Sequence, residues 1–581
     1  MACESAPPPP PPGGRRDAGP CDLIVEVCNG RDDDCNGIVD DVASVEICDG
    51  LDQDCDGAFD EGAACERFSS PGADGWVLGD GSSGVIVTDD GALTLQPPRV
   101  DIVQPAIWIA SSDEGTVSRL DPATGRETGR YHSVAPSSGL EAGPPNAPSR
   151  TAIDQRLDAY VANRAFEGQA SVAKIAGDVS RCVDRDLDGV IETSADLDAD
   201  GVISTAAVMG EMVSDDECVL WSVPVGRVNG VARALAIGLA GPDGEAGDVW
   251  VGLFHEQSVV VLSQLDGHVI ATIPIGIAPY GAVAGPDGRI WLTSGPAAYA
   301  VIVAVDPDTF AVEQVALPGA LLRTYGISVD GLGRIVLAAN DETWRGAIAY
   351  DPRTRAWSRS ESLPGSGVGM TNTRLMRGIS ASADTVWVAG PGNGTGALFA
   401  LEVADLSLRA TYPLEGTRDV VGVGVAFDGR VWGIARDASR AYRLDPSSGE
   451  ITSHPTGLGP YTYSDFTGFG LNGILGAIGS HRETLEACDS AIWSSITLDA
   501  DVPAETRVEV RVRSATTRAG LATTPWIGAF APAPTASLAE APGPVPAGRF
   551  LEIALRLSSS TPGIERASST SIEVIRPWAR G

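Results

Sequence analysis

From about residue 100 to residue 480, short runs of β-branched and apolar residues alternate with Gly, Asp and Pro turns, and no long window carries a helical period. One run recurs around an aromatic residue or its stand-in: Ile107-Trp108-Ile109, Ala159-Tyr160-Val161, Val249-Trp250-Val251, Ile290-Trp291-Leu292, Ile335-Val336-Leu337, Val386-Trp387-Val388 and Val431-Trp432-Gly433. Tight turns precede several copies: Pro286-Asp287-Gly288-Arg289, Gly331-Leu332-Gly333-Arg334 and Phe427-Asp428-Gly429-Arg430. Further upstream lies a glycine-bearing strand: Tyr280-Gly281, Tyr325-Gly326, Arg377-Gly378. A second turn follows each of four landmarks, at Asp121-Pro122, Asp306-Pro307, Asp351-Pro352 and Asp445-Pro446. From Trp250 to Trp432 the landmarks are 41, 45, 51 and 45 residues apart.

A period of 40–50 residues with four strand-like runs per unit predicts a β-propeller. Seven landmarks predict seven blades, with six or eight still open because the second unit is irregular. The phrase from Ile277 through Pro286-Asp287-Gly288-Arg289 to Thr293 resembles a blade of the virginiamycin B lyase and NHL-like propellers. After about residue 484 the texture changes. Trp493–Asp501, Thr506–Ser514, Gly548–Leu557 and Ser571–Ile575 alternate strictly between Pro- and Gly-rich loops, which predicts a β-sandwich of about 95 residues. The chain is therefore expected to be all-β. Residues 1–20 form a Pro-rich tether, 21–66 a small N-terminal region stapled by disulfides and calcium, 67–483 a seven-bladed β-propeller, and 484–581 a C-terminal sandwich.

The second unit carries an insertion between Cys182 and Cys218, a pair placed to bridge its base. Asp184, Asp186, Asp188, Gly189 and Ile191 fall at positions 1, 3, 5, 6 and 8 of a calcium loop. Glu192 adds a carboxylate, but Ala195 stands at position 12, so the loop is not an orthodox EF-hand. Asp196, Asp198, Asp200, Gly201 and Ile203 repeat the pattern. Overlapping loops of this type resemble thrombospondin type 3 or dockerin-like calcium segments.

Two further copies of hard-cation chemistry lie near the N-terminus. Residues 26–41 and 46–61 share the pattern E-x-C-[DN]-G-x-D-x-D-C-[DN]-G-x-x-D-[DE]. Oxygen side chains stand at Asp32, Asp34 and Asn36 in the first copy and at Asp52, Asp54 and Asp56 in the second. Carboxylates return at Asp40 and Asp41, and at Asp60 and Glu61, after a turn at Gly37 or Gly57. Calcium takes six to eight oxygens, and this spacing folds them around one point. Cysteines spaced C-x6-C with no local His do not have zinc spacing. A module this small needs a staple, so Cys28–Cys35 and Cys48–Cys55 are the expected bridges. The segment resembles the MopE-type metal-binding motif of secreted bacterial proteins. That family's name is tied to copper, which makes copper the alternative ion.

A net charge of −36 argues against nucleic acid, whose phosphates would be repelled. Ten cysteines, mostly in close pairs, point to an oxidising compartment. Cys21 and Cys65 bracket the two motif copies and can pair; Cys488 has no evident partner. Cys3 follows Ala2 and precedes Pro7–Pro12, as after a lipoprotein signal, so an outer-membrane or surface location is expected, with membrane contact only through a lipid on Cys3.

A lyase would need a general base and a cation at the propeller mouth. Five His exist (132, 255, 268, 454 and 481), and only His255-Glu256 forms a local acid/base candidate. The expected function is a non-catalytic, extracytoplasmic calcium-binding protein whose propeller binds a surface protein or polysaccharide. The alternatives are a propeller enzyme of the virginiamycin B lyase or lactonase kind and a copper-binding surface protein.

Overall fold

The computed structural model describes residues 65–70, 76–78, 82–83, 85–89, 91–95 and, with short interruptions, 105–577. The N-terminal motif ligands Asp32, Asp34, Asn36, Asp40, Asp41, Asp52, Asp54, Asp56, Asp60 and Glu61 lie outside these residues, as do the bridges expected at Cys28–Cys35 and Cys48–Cys55. The side chains of Cys65 and Cys488 also lie outside the description. The described chain falls into two units.

Among the described residues the larger unit is a succession of seven antiparallel sheets between residues 107 and 455. Six have four strands each, running in sequence order across the sheet, and the first has three. The first strand of each four-stranded sheet lies against the first strand of the next, which puts these strands innermost. Burial falls outward, as the alternating sequence requires. Val420–Val425 is buried throughout, whereas Val269–Pro274 and Val312–Ala316, the fourth strands of their sheets, are mostly exposed.

The first sheet lacks an inner strand of its own because the chain's return supplies one. Pro460 bridges to Ser111, the Tyr461 amide donates to the Ala110 carbonyl at 2.8 Å, and the Trp108 amide donates to the Phe466 carbonyl at 2.9 Å. The segment also lies against the inner strand of the last sheet, since a Cβ on Gly422 would sit 1.8 Å from the Thr462 carbonyl. First and last sheets are thereby joined, and the sheets close into the propeller that the repeat predicts.

The landmark aromatics sit in the second position of each sheet. Trp108, Trp250, Trp291 and Trp432 are almost fully buried. Trp291 packs toward the next sheet, its ring 5.5 Å from that of Tyr350. The Asp-Pro landmarks close the hairpins between third and fourth strands: the Asp121 and Asp306 carboxylates accept from the amides of Thr124 and Thr309 at 2.6 and 2.9 Å. Each such turn ends in the left-handed region, at Gly125 and Gly449, but also at Phe310 and Arg355, where no glycine relieves it.

The smaller unit is a two-sheet sandwich. One sheet runs Val85–Val87, Leu93–Leu95, Ser568–Pro577, Ser495–Asp501, Thr535–Ser537, with Cys65–Ser70 also paired to Ser568–Pro577. The other runs Ser82–Ser83, Ile478–Ala491, Gly548–Ser559, Thr506–Ala515, Ile527–Phe530. Val508, Val510 and Val512 point into the core with Ile553 and Leu555, while Glu509 and Arg511 between them do not. The strand pairing draws the boundary differently from the sequence expectation, which began the propeller at residue 67. Strands from residues 65–95 belong to the sandwich, because Cys65–Ser70, Ser82–Ser83 and Leu93–Leu95 pair with strands about 400 to 510 residues downstream, and no local pattern marks them.

Candidate metal centre

The insertion leaves the third strand of the second sheet, Gln169–Ile175, and returns as its fourth, Val219–Val228. Cys182 and Cys218 are bridged at its base, as expected, and Cys218 is buried. Asp216 gathers the segment between the two loops: it accepts from the Ser194 and Cys218 amides at 2.8 and 2.9 Å and from the Ser194 and Thr193 hydroxyls. Burial holds its carboxyl above the ordinary range despite these bonds.

The first loop winds as the spacing predicts. The Asp184 carboxylate accepts from the amides of Leu187 and Gly189 at 2.6 and 2.9 Å, and Asp188 accepts from Val190 at 2.8 Å. Gly189 stands at φ +87°, the left-handed turn that position 6 requires. Carboxylate oxygens of Asp184, Asp186 and Asp188 lie within 4.8 Å of one another, and so do those of Asp186, Glu192 and Glu217. Glu192 is held above its ordinary pKa, first by burial and then by Asp188, Asp186 and Glu217. The second loop repeats the geometry: Asp196, Asp198 and Asp200 converge within 4.8 Å, the Gly201 amide donates to Asp196 at 2.9 Å, and Gly201 stands at φ +94°.

Two residues that spacing did not flag complete these loops. Glu217 accepts from the amides of Arg185 and Glu192, and Glu211 accepts from those of Leu197 and Ser204. Each glutamate thus clasps the second and ninth residue of its loop, and both are buried. Glu217 stands 32 residues from Arg185, and Glu211 stands 14 from Leu197. These separations match no loop template; only the fold brings the glutamates in. Glu217 supplies a remote carboxylate to a loop that has Ala195 where an EF-hand has its last ligand.

The donors fit a hard divalent cation. All are carboxylate oxygens, and no imidazole or free thiol joins them among the described residues. Asp196 adds a specific sign: its Oδ2 is taken by Gly201 and Arg126, while its buried Oδ1 has no hydrogen-bond partner. The second loop is also docked on the first sheet. Glu127, buried and paired with Arg130, accepts from the Ile203 amide at 2.7 Å, and Ser194 donates to the Arg130 carbonyl at 2.6 Å.

A family described as "Putative metal-binding motif", the MopE copper-binding family, matches residues 25–41 and 43–61. No curated protein matches the chain. Among solved structures, virginiamycin B lyase from Staphylococcus aureus is 14% identical at a TM-score of 0.38, covering 54% of this chain and 85% of its own. A protein from Lactobacillus plantarum is 14% identical at 0.42, covering 62% and 98%. A gluconolactonase from Xanthomonas campestris is 13% identical at 0.31, covering 43% and 82%.

The acid/base candidate of the sequence is placed on a loop after the strand Val249–Leu253. His255 is exposed and its Nδ1 is bonded to the Asn229 carbonyl at 2.8 Å. Glu256 accepts from the Arg227 amide at 2.8 Å. His268 lies in a hairpin turn beside Asp266, and His454 lies on the outer strand Ile451–Pro455.

Proposed function

We propose that this is an extracytoplasmic calcium-binding protein whose propeller is a rigid, non-catalytic disc for a surface protein or glycan. The observation that carries the metal half is the pair of insertion loops, each clasped by a remote buried glutamate, one of them with an unpartnered carboxylate oxygen. All-oxygen donors favour calcium over copper, which prefers imidazole or sulfur. Calcium here is structural: an ion that binds only the ordered loops stabilises them by mass action. The N-terminal motif copies, with the same oxygen spacing, act as further calcium sites. The Cys182–Cys218 bridge supports an oxidising compartment. His255 and Glu256 are each engaged with backbone and not with one another, which favours binding over proton transfer. Limited proteolysis tests the proposal: calcium should protect residues 183–217, and chelator should expose them while the disc stays folded. Equal cutting with and without calcium would sink it.

A further inference from the structure

One face of the disc carries both acids and arginines, and three of its arginines form no ion pair among the described residues. It is the face where inner strands begin and second strands end. Arg233 is the second residue of the inner strand Ala232–Ile237, and Arg164 directly follows the second strand Ala159–Asn163. Behind them Arg150, fully buried, reaches across the axis. It donates to the carbonyls of Arg233 at 2.8 Å, Tyr463 at 3.0 Å and Tyr280, with its guanidinium 3.3 Å from the Tyr463 ring centroid.

Among the described residues no carboxylate pairs with Arg150, Arg164 or Arg233, in a chain with 77 acidic and 41 basic residues. Arg377 and Arg436 on the same face do have partners, Asp419 and Asp113. Arg164 spends Nε on the Ala147 carbonyl and Nη2 on the Ser112 hydroxyl. The Arg233 Nε is buried and has no partner. Both guanidiniums flank one ring: Phe166 lies 4.9 Å from Arg164 and 5.9 Å from Arg233, and it is 51% exposed. The ring attracts both cations, but the two like charges still repel one another and about half of the ring faces water. An anion with an apolar body removes both costs at once. Arginine's planar fork matches a carboxylate bidentately, and the ring offers a stacking face.

The positive potential registers on a neighbour. Burial alone would raise the Tyr461 phenol, but Arg377, a hydrogen bond with Tyr325, Arg233 and Arg164 bring it down to about 8.

We infer that this mouth binds an organic carboxylate, its acid group between Arg164 and Arg233 and its ring-shaped body on Phe166. The inference rests on the reading of the propeller as a binding disc and adds the place and the ligand class; an acidic sugar unit of a polysaccharide has the chemistry required.

The test is calorimetry on the full chain with sodium glucuronate and benzoate, with glucose and inorganic phosphate as comparison probes. A carboxylate should bind and glucose should not. Arg233→Gln and Arg164→Gln should each weaken binding at least about tenfold, Arg233→Lys should retain part of it, and Arg409→Gln, which alters an exposed pair with Glu402 elsewhere, should change nothing. The bound anion should also raise the Tyr461 ionisation from about 8 toward its ordinary value, read by absorbance, which a purely structural arginine would not do. Thermal melts establish that each variant folds, and two independent arginines guard against the loss of one. No carboxylate binding at about 10 mM, unchanged affinity in both Gln variants, or preference for phosphate would overturn the inference. A chain that captures glycan or protein regardless of Arg233 overturns this site and leaves the binding disc standing; one that takes the carboxylate but no macromolecule does the reverse.

Discussion

Replacing both Cys182 and Cys218 with Ser should uncouple the insertion from the disc, and the size of the effect follows from the loop the bridge closes. The cysteines are 36 residues apart. Cross-linking a loop of that length removes unfolded-state entropy worth about 3.8 kcal/mol at 25 °C on the chain-entropy model. That figure is the ceiling for a chain with free ends: the strands on either side, Gln169–Ile175 and Val219–Val228, pair with each other whether or not the bridge is present and already hold the ends of the insertion together, so the bridge restricts the locally opened insertion by much less. The opening constant of the insertion should therefore rise, but by well under the roughly 600-fold that about 3.8 kcal/mol would give. Calcium binds only the ordered loops, so its apparent affinity falls by the fraction still ordered. The assay is limited proteolysis across a calcium titration, with cut sites mapped by mass and the disc followed by its thermal melt. The calcium needed for half-protection of residues 183–217 should rise in the double variant, with first cuts near Asp188, in the more exposed first loop, and later cuts near Asp200. The melt of the disc should move by no more than the small cost of one buried Ser at position 218. Protection at an unchanged calcium concentration would refute the coupling. Loss of the disc's own transition would show that the insertion supports the propeller.

Asp186 belongs to both carboxylate sets of the first loop, and Asn keeps its acceptor for the Asp188 amide while removing charge; Asp186→Asn should cut calcium affinity of that loop at least about tenfold by calorimetry, and an unchanged isotherm would remove Asp186 from the ligand set. Gly422→Val should strip the closing segment from the last sheet, because its Cβ would sit 1.8 Å from the Thr462 carbonyl; a melt within about 1 kcal/mol of the parent would disprove that closure. Tyr461 faces Arg164, Arg233, Arg377 and Arg436, the last two paired with Asp419 and Asp113, as well as the phenols of Tyr280, Tyr325 and Tyr463. Its folded pKa of about 8 lies below the ordinary value of 10, so its contribution to stability is absent below pH 8, grows as pH rises, and is complete above 10. One phenolate should appear near pH 8 by ultraviolet titration, and Arg377→Gln should move it up; all ten tyrosines ionising together near or above pH 10 would contradict it.

The repeat was legible because most of the sheets solve the same local problem with similar residues. A Trp such as Trp291 fills the second strand, and an Asp-Pro turn such as Asp306-Pro307 closes the outer hairpin. The insertion's aspartates were legible for the same reason: alternate acids before Gly189 and Gly201 are a local pattern. What sequence reading missed is non-local. Glu211 and Glu217 reach their loops only through the bridge and Asp216, Phe466 meets Trp108 only when the ring closes, and Cys65–Ser70 pairs with the far end of the chain. The arginine–tyrosine mouth was missed because its members are isolated residues scattered over inner strands, such as Arg150, Arg233, Tyr280 and Tyr325, and over the loops beside them, such as Arg164 and Tyr461.

Calorimetry of the full oxidised chain, stripped of metal and titrated with calcium and separately with copper(II), tests the central claim most directly. Calcium should bind at several sites, Asp186→Asn and Asp196→Asn should each remove or weaken one, and copper(II) should bind far more weakly. Tight copper binding with no response to calcium would contradict the account.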